Sequence, residues 1–239
     1  MNAWFESWFG EDYLRLYPHR DEADAGAVIS LISKRLDLAG KNILDLACGS
    51  GRHLVPLKEL GGHPVGLDLS ETLLHIAATA QPGSPLVRGD MRTLPFQSRS
   101  FDVVVNLFTS FGYFDDDASN SVVLAEISRV IVPGGTFVLD YLNADHVVST
   151  LVSSQVVDTG KETLDVTRTI SDDGRFVIKK MRQRSDGRTF TERVRLLSAS
   201  TLDTMITTAG FTVREVYGDY EGNPIDADSS RAILMSTKR

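Results

Sequence analysis

The run Asp45-Leu46-Ala47-Cys48-Gly49-Ser50-Gly51 concentrates residue types that could do chemistry at one turn of the chain. Glycines at 49 and 51 let a ligand approach the backbone, in room that a Cβ would occupy. The run follows a short apolar strand, Ile43, Leu44 and Leu46, and precedes a predicted helix from Arg52 to Leu60. Pro56 sits near that helix's first turn, where proline is best tolerated. Open α/β sheets bind ligands at such carboxyl ends of strands. One reading is the dinucleotide fingerprint G-x-G-x-x-G, but Leu54 replaces the third glycine, which normally permits close helix–strand packing. Asp45 is a second objection, because a carboxylate repels a diphosphate and suits an ammonium group. A plain tight turn is the bland alternative.

Two more acids fall in register. Asp68 ends a second strand, Val65 to Asp68, and lies 17 residues after Gly51. An acid roughly 20 residues past a glycine loop is placed to accept ribose hydroxyls. It could also be a helix N-terminal acid favoured by the macrodipole. Asp90 follows Gly89 at the end of a third strand, Pro85 to Val87, with Met91 beside it. A fourth strand, Phe101 to Phe108, opens at Asn106 into the loop Thr109-Ser110-Phe111-Gly112-Tyr113-Phe114. Its aromatics suit a pocket wall, or packing beneath a loop. Tyr13 and Tyr17 precede the first long helix; Arg20 and His53 are further candidates. For His53 the better reading is an ordinary helix residue. Asp115-Asp116-Asp117 reads as a solvated helix cap rather than a metal site.

The elements that must hold these residues alternate strand and helix. Residues 21–36 carry apolar positions at helical spacing. Ser70 is a good N-cap for a helix bearing Leu73, Leu74, Ile76 and Ala77. A helix from about Ala118 to Ile131 is expected to stop at Pro133-Gly134-Gly135, and Thr136 to Leu142 is a fifth strand. Strands apolar on both faces mean a parallel sheet covered on both sides. The expected fold is α/β: a Rossmann-like, doubly wound, mostly parallel seven-stranded sheet. After about residue 155 three strands, Leu164 to Ile170, Phe176 to Gln183 and Phe190 to Leu197, are joined by the turn signals Asp172-Asp173-Gly174 and Ser185-Asp186-Gly187. The segment 156–197 is therefore an inserted antiparallel unit, a substrate cap or a dimer element. Helix Ser200 to Ala209 and strands Phe211 to Tyr217 and Ala232 to Thr237 complete the chain.

Taken together, Asp45 to Gly51, Gly66 to Ser70, Gly89 to Pro95, Phe101 to Phe114 and Pro133 to Leu139 resemble the small-molecule branch of class I S-adenosylmethionine-dependent methyltransferases. Gly89-Asp90-Met91-Arg92 with the aromatic loop is similar to amino-sugar N-methyltransferases and to bacterial members whose substrates are unassigned. The resemblance covers about residues 40 to 142. It implies S-adenosyl-L-methionine as cofactor, with Asp45, Ala47, Gly49, Gly51, Asp68, Leu69, Asp90, Met91 and Asn106 around it. It also implies a single domain over 1–239, in which residues 1–36 form a helical lid. Tyr13, Tyr17 and Tyr113 are then the catalytic candidates. The acceptor would be a small molecule with a nitrogen or oxygen nucleophile. The signatures of nucleobase amino-methylation, Asn/Asp-Pro-Pro-Tyr, and of carbon methylation, Pro-Cys, are absent.

Composition narrows the rest. The formal net charge of −7 disfavours nucleic-acid partners, which usually meet a basic face. A single cysteine, Cys48, allows no intramolecular disulfide, and the cytoplasm is the expected compartment. No apolar run is long enough to span a membrane, and Met1 to Gly10 lacks the pattern of a signal peptide. A nicotinamide-dependent oxidoreductase and a non-catalytic binding module are the competing classes.

Overall fold

The computed structural model describes residues 4–17 and 22–239. One sheet of seven strands forms the body, in the order β10-β11-β5-β4-β1-β2-β3. These strands are β1 (Asn42–Leu46), β2 (His63–Asp68), β3 (Leu86–Arg88), β4 (Phe101–Asn106), β5 (Ile131–Leu142), β10 (Phe211–Tyr217) and β11 (Arg231–Lys238). β1 to β5 pair in parallel, and β11 runs antiparallel to both of its neighbours. The sheet is Rossmann-like and mostly parallel, as its apolar strands predict.

Strand alternation divides the core in two. Leu44, Leu46, Val104, Phe137 and Leu139 face helices α6 (Asp117–Val130) and α8 (Ala199–Thr208). Ile43, Val103, Val105 and Val138 face α3 (Glu22–Ser33) and α4 (Leu54–Glu59). Both faces are thus buried, which is why these strands read as apolar runs rather than alternating ones. Helix α5 (Glu71–Ala80) starts where expected: the Ser70 side chain accepts from the Leu73 amide.

The end of α6 differs from the sequence expectation. Helix α6 ends at Val130, and β5 begins at once with Ile131. Pro133-Gly134-Gly135 lies inside the strand, where the pairing with β4 slips between Phe101 and Val103. Gly134 has φ +77°, so the stretch acts as a bulge in the strand rather than a helix stop.

The chain leaves β5 through a short helix, α7 (Ala144–Ser149), and builds a second sheet, β6-β7-β8-β9. It comprises β6 (Ser154–Asp158), β7 (Thr163–Ile170), β8 (Phe176–Gln183) and β9 (Thr189–Arg195), all antiparallel. Gly174 and Gly187 take φ of +69° and +74° in the two foreseen turns. The sequence did not announce α7 or β6. One face of this sheet, with Leu164, Val166 and Met181, packs on Trp8, Leu16 and Tyr17. Those three residues belong to α1 (Trp4–Trp8), to α2 (Glu11–Leu16) and to the position after it. The inserted unit ends earlier than 197, because Leu197 is buried in the main core.

Candidate active site

A cavity opens at the carboxyl ends of β1, β2, β3 and β4. The space it spans, with the open solvent of its mouth included, is about 1160 Å³. The loop after β1 winds through left-handed conformations at Ala47 (φ 61°), Gly49 (φ 55°) and Gly51 (φ 79°). At Gly49 an added Cβ would meet nothing closer than 3.8 Å, so the glycine leaves a bare backbone edge along the cavity.

Asp68 closes that loop. One carboxylate oxygen accepts from the Gly49 amide and the other from the Ser70 amide, each at 2.8 Å. Each oxygen keeps a further lone pair for a ligand hydroxyl. Burial pushes the Asp68 carboxyl above its ordinary value, against the pull of the Ser70 and Gly49 amides. Cys48 is buried behind the loop, and burial pushes its thiol up, so it packs rather than reacts. Gly66 makes room for it: a Cβ there would lie 2.8 Å from the Cys48 sulfur.

Asp90 and Met91 line the cavity beyond β3. The Asp90 carboxylate accepts from the Arg92 amide at 2.8 Å and pairs with the Arg92 guanidinium. Partial burial pushes the Asp90 carboxyl up, but the bonds from Arg92 outweigh it and hold it low. Arg92 in turn lies 4.8 Å over the Phe114 ring.

The loop after β4 is bent sharply. Phe108 and Thr109 both take positive φ, 55° and 60°, a conformation costly for residues with side chains. Asp140 on β5, fully buried, holds it there. Its carboxylate accepts from the Phe108 amide at 2.9 Å, from the Tyr220 hydroxyl at 2.9 Å and from Arg231 at 2.7 Å.

The N-terminal segment forms the remaining wall. Phe5, Phe9, Tyr13, Tyr17, Tyr113 and Phe114 line the cavity together. Phe9 stacks on Tyr113 at 5.5 Å, and Tyr13 lies 5.2 Å from Tyr17. The Phe9 carbonyl accepts from the Ser70 hydroxyl, which ties this wall to the start of α5.

Of the residues singled out in the sequence, Tyr13, Tyr17, Tyr113, Ala47, Gly49, Asp68, Leu69, Asp90 and Met91 share this cavity. Asp45, Gly51 and Asn106 do not line it. Asp45 is 1% exposed and lies behind His53, whose Nδ1 is 3.3 Å from the Asp45 carboxylate. Gly51 turns toward α5, where a Cβ would meet Ala77 at 3.1 Å. Asn106 is buried and donates to the Leu46 carbonyl at 2.8 Å, bracing the ends of β1 and β4. His53 corrects the sequence reading. It is a buried cavity wall and not an ordinary helix residue, with Arg52 beside it. A His eight residues after a strand acid was the available signal, but only the turn at Gly51 brings the two together. Arg20 lies outside the described residues. Asp116 caps α6 by accepting from the Ser119 amide at 2.6 Å. Among the described residues no three His, Cys, Asp or Glu side chains cluster to hold a metal.

The family described as "Methyltransferase domain" matches residues 44–139, from β1 to β5. A Streptomyces venezuelae dTDP-3-amino-3,4,6-trideoxy-alpha-D-glucopyranose N,N-dimethyltransferase is 34% identical over 118 residues, 49% of each chain. A Lactococcus lactis demethylmenaquinone methyltransferase is 39% identical over 43% of this chain and 42% of its own. The chain spans about half the length of the curated relatives it matches. Among solved structures, the CcbJ methyltransferase from Streptomyces caelestis superposes with a TM-score of 0.82 over 98% of both chains at 22% identity. SAM-bound CalS10, an amino pentose methyltransferase from Micromonospora echinaspora, gives 0.69 over 96% of this chain and 97% of its own at 24% identity. These likenesses at low identity extend the shared fold over the whole chain, second sheet included. The match from β1 to β5 is thus to a methyltransferase domain, and the likenesses to solved structures show a shared Rossmann-like fold.

Proposed function

We propose that the chain is an S-adenosyl-L-methionine-dependent methyltransferase acting on a small-molecule acceptor through a nitrogen or oxygen nucleophile. The observation that carries this reading is the row of groups along one cavity: Asp90 beyond β3, Asp68 at the end of β2, and the bare backbone at Ala47 and Gly49. Asp68 suits a ribose diol, and Asp90 with Leu69 and Met91 suits an adenine. The sulfonium of the cofactor supplies an already activated methyl group. What remains for the protein is to bind, align and exclude water.

Alignment is the largest contribution, worth up to roughly 7–11 kcal/mol for well-oriented partners. The aromatic wall from Phe5 to Tyr17, with Tyr113, keeps water from the reacting atoms. Of the three catalytic candidates we assign Tyr13 and Tyr113 to hold an acceptor or take its proton; the Tyr17 hydroxyl is committed to Glu192 and corrects the sequence expectation for that residue. Amino-sugar methyltransferases among the relatives favour an amine acceptor for this chain too. No described helix is long and apolar enough to cross a membrane, and we place the activity in the cytoplasm, with no nucleic-acid substrate. The second sheet, 156–197 in the sequence reading, serves as a cap that seats the lid; a homodimer contact is its other use.

Thermal shift separates this reading from a nicotinamide enzyme. S-adenosylhomocysteine at about 100 times its dissociation constant should stabilise the protein by roughly 2.7 kcal/mol, and NAD should not. Labelled-methyl transfer to a panel of amines, acids and alcohols then identifies the acceptor. Preferential stabilisation by NAD, or cofactor binding with no transfer to any acceptor, overturns the reading.

A further inference from the structure

His53 is 4% exposed, lines the cavity, and presents a buried Nε2 that has no hydrogen-bond partner among the described residues. Its other ring nitrogen, Nδ1, faces the Asp45 carboxylate at 3.3 Å. A carboxylate offers only acceptors, so Nδ1 carries the hydrogen and Nε2 of the neutral ring presents a lone pair. A buried polar atom left unpaired is costly, so this lone pair calls for a donor from a ligand. Arg52, the preceding residue, lines the same cavity, with its guanidinium 3.9 Å over the Phe108 ring. His53 packs on that same ring at 5.6 Å and 26°. One aromatic side chain therefore orients both an acceptor and a cation.

That pairing matches a zwitterion. An α-amino acid end-group carries an ammonium, which needs an acceptor, and a carboxylate, which a guanidinium meets with two parallel bonds. The position agrees. Asp90 and Asp68 stand at the ends of β3 and β2, and the next step along the sheet is β1 and β4, where His53 and Phe108 lie. We propose that Arg52 and His53 form a clamp for the amino acid end of the cofactor. His53 Nε2 takes the ammonium, Arg52 takes the carboxylate, and Asp45 acts only through His53 by fixing its tautomer. The inference rests on the methyltransferase reading of the cavity, and it assigns the strand acid an indirect role.

Three adenosine ligands separate the contributions: S-adenosylhomocysteine, its decarboxylated analogue, and 5′-methylthioadenosine, which lacks both charged groups. In calorimetry the unaltered protein should prefer S-adenosylhomocysteine over 5′-methylthioadenosine by at least about 10-fold, the scale of one hydrogen bond to a charged group. His53→Ala should weaken the first two ligands by about 10- to 100-fold and leave 5′-methylthioadenosine within about two-fold. Arg52→Met should weaken S-adenosylhomocysteine alone. Equal losses across all three ligands would make these residues structural and overturn the clamp. So would equal binding of all three by the unaltered protein, a result that does not depend on any variant folding. Binding of none of the three would instead remove the methyltransferase reading itself, and the clamp with it.

Discussion

The hydroxyl of Tyr17 lies 2.9 Å from both carboxylate oxygens of Glu192, a residue 175 positions further along the chain. The same carboxylate accepts from the Trp8 indole at 2.9 Å, and Lys179 reaches the Tyr17 hydroxyl from the neighbouring strand. The N-terminal wall of the cavity is thus bolted to the second sheet as well as to the start of α5. Glu192→Ala removes the shared acceptor at a cost of about 1–3 kcal/mol. Its expected result is faster amide exchange across residues 4–17 with the main sheet unaffected. Unchanged exchange there would show that the apolar contacts alone seat the wall.

Asp68→Ala should weaken S-adenosylhomocysteine by about 1.5–3 kcal/mol, the scale of a hydrogen bond to a charged group. Asp68 also holds the Gly49 and Ser70 amides, so some stability is lost too. Calorimetry on the folded variant decides the matter: unchanged affinity would remove Asp68 from the ribose site.

The same side chain gives a pH dependence with two opposite signs. Burial raises the Asp68 carboxyl above 3.8. A raised carboxyl contributes stability that is fully present below the unfolded value and is lost as pH rises through the folded one. On the proposed ribose role, affinity for S-adenosylhomocysteine runs the other way, because an ionised carboxylate is the stronger acceptor for hydroxyls. Affinity should therefore fall as pH drops toward the raised value, sooner than for an ordinary aspartate. Titrations downward from neutral pH should show this fall, and Asp68→Asn should flatten it.

Asp140→Ala should cost about 3–5 kcal/mol, because it breaks a buried ion pair with Arg231. It also frees the left-handed turn at Phe108 and Thr109. Chemical denaturation reads the first effect. A weaker S-adenosylhomocysteine signal in the variant that still folds reads the second.

Gly112 has φ +81°, and a Cβ there would clash with the Tyr141 hydroxyl. That hydroxyl donates to the Arg195 carbonyl at 2.6 Å, at the root of the second sheet. Gly112→Ala should destabilise by more than about 2 kcal/mol through backbone strain and overpacking. In a Tyr141→Phe background the increment should be smaller, since part of the clash is gone. Strict additivity in denaturation would show that backbone strain alone is responsible.

The sheet was readable in the sequence because burial on both faces leaves continuous apolar strands, such as Phe101 to Asn106. Strand β6 was not, since it is an edge strand with alternate residues exposed and a polar sequence, Ser154 to Asp158. Pro133-Gly134-Gly135 misled because the same residues that stop a helix also make a strand bulge. Within the site, Asp68 and Asp90 were legible as strand-end acids. The indirect place of Asp45 was not, because it depends on how far the turn at Gly51 folds His53 back over the strand.

Both tryptophans of the chain, Trp4 and Trp8, stand on helix α1. Trp4 rests 5.0 Å from Tyr113 and Trp8 donates to Glu192. The tryptophan fluorescence of this protein is therefore a local signal of the N-terminal wall of the cavity. A stopped-flow trace of that emission would report the binding of S-adenosylhomocysteine against this wall without any attached dye.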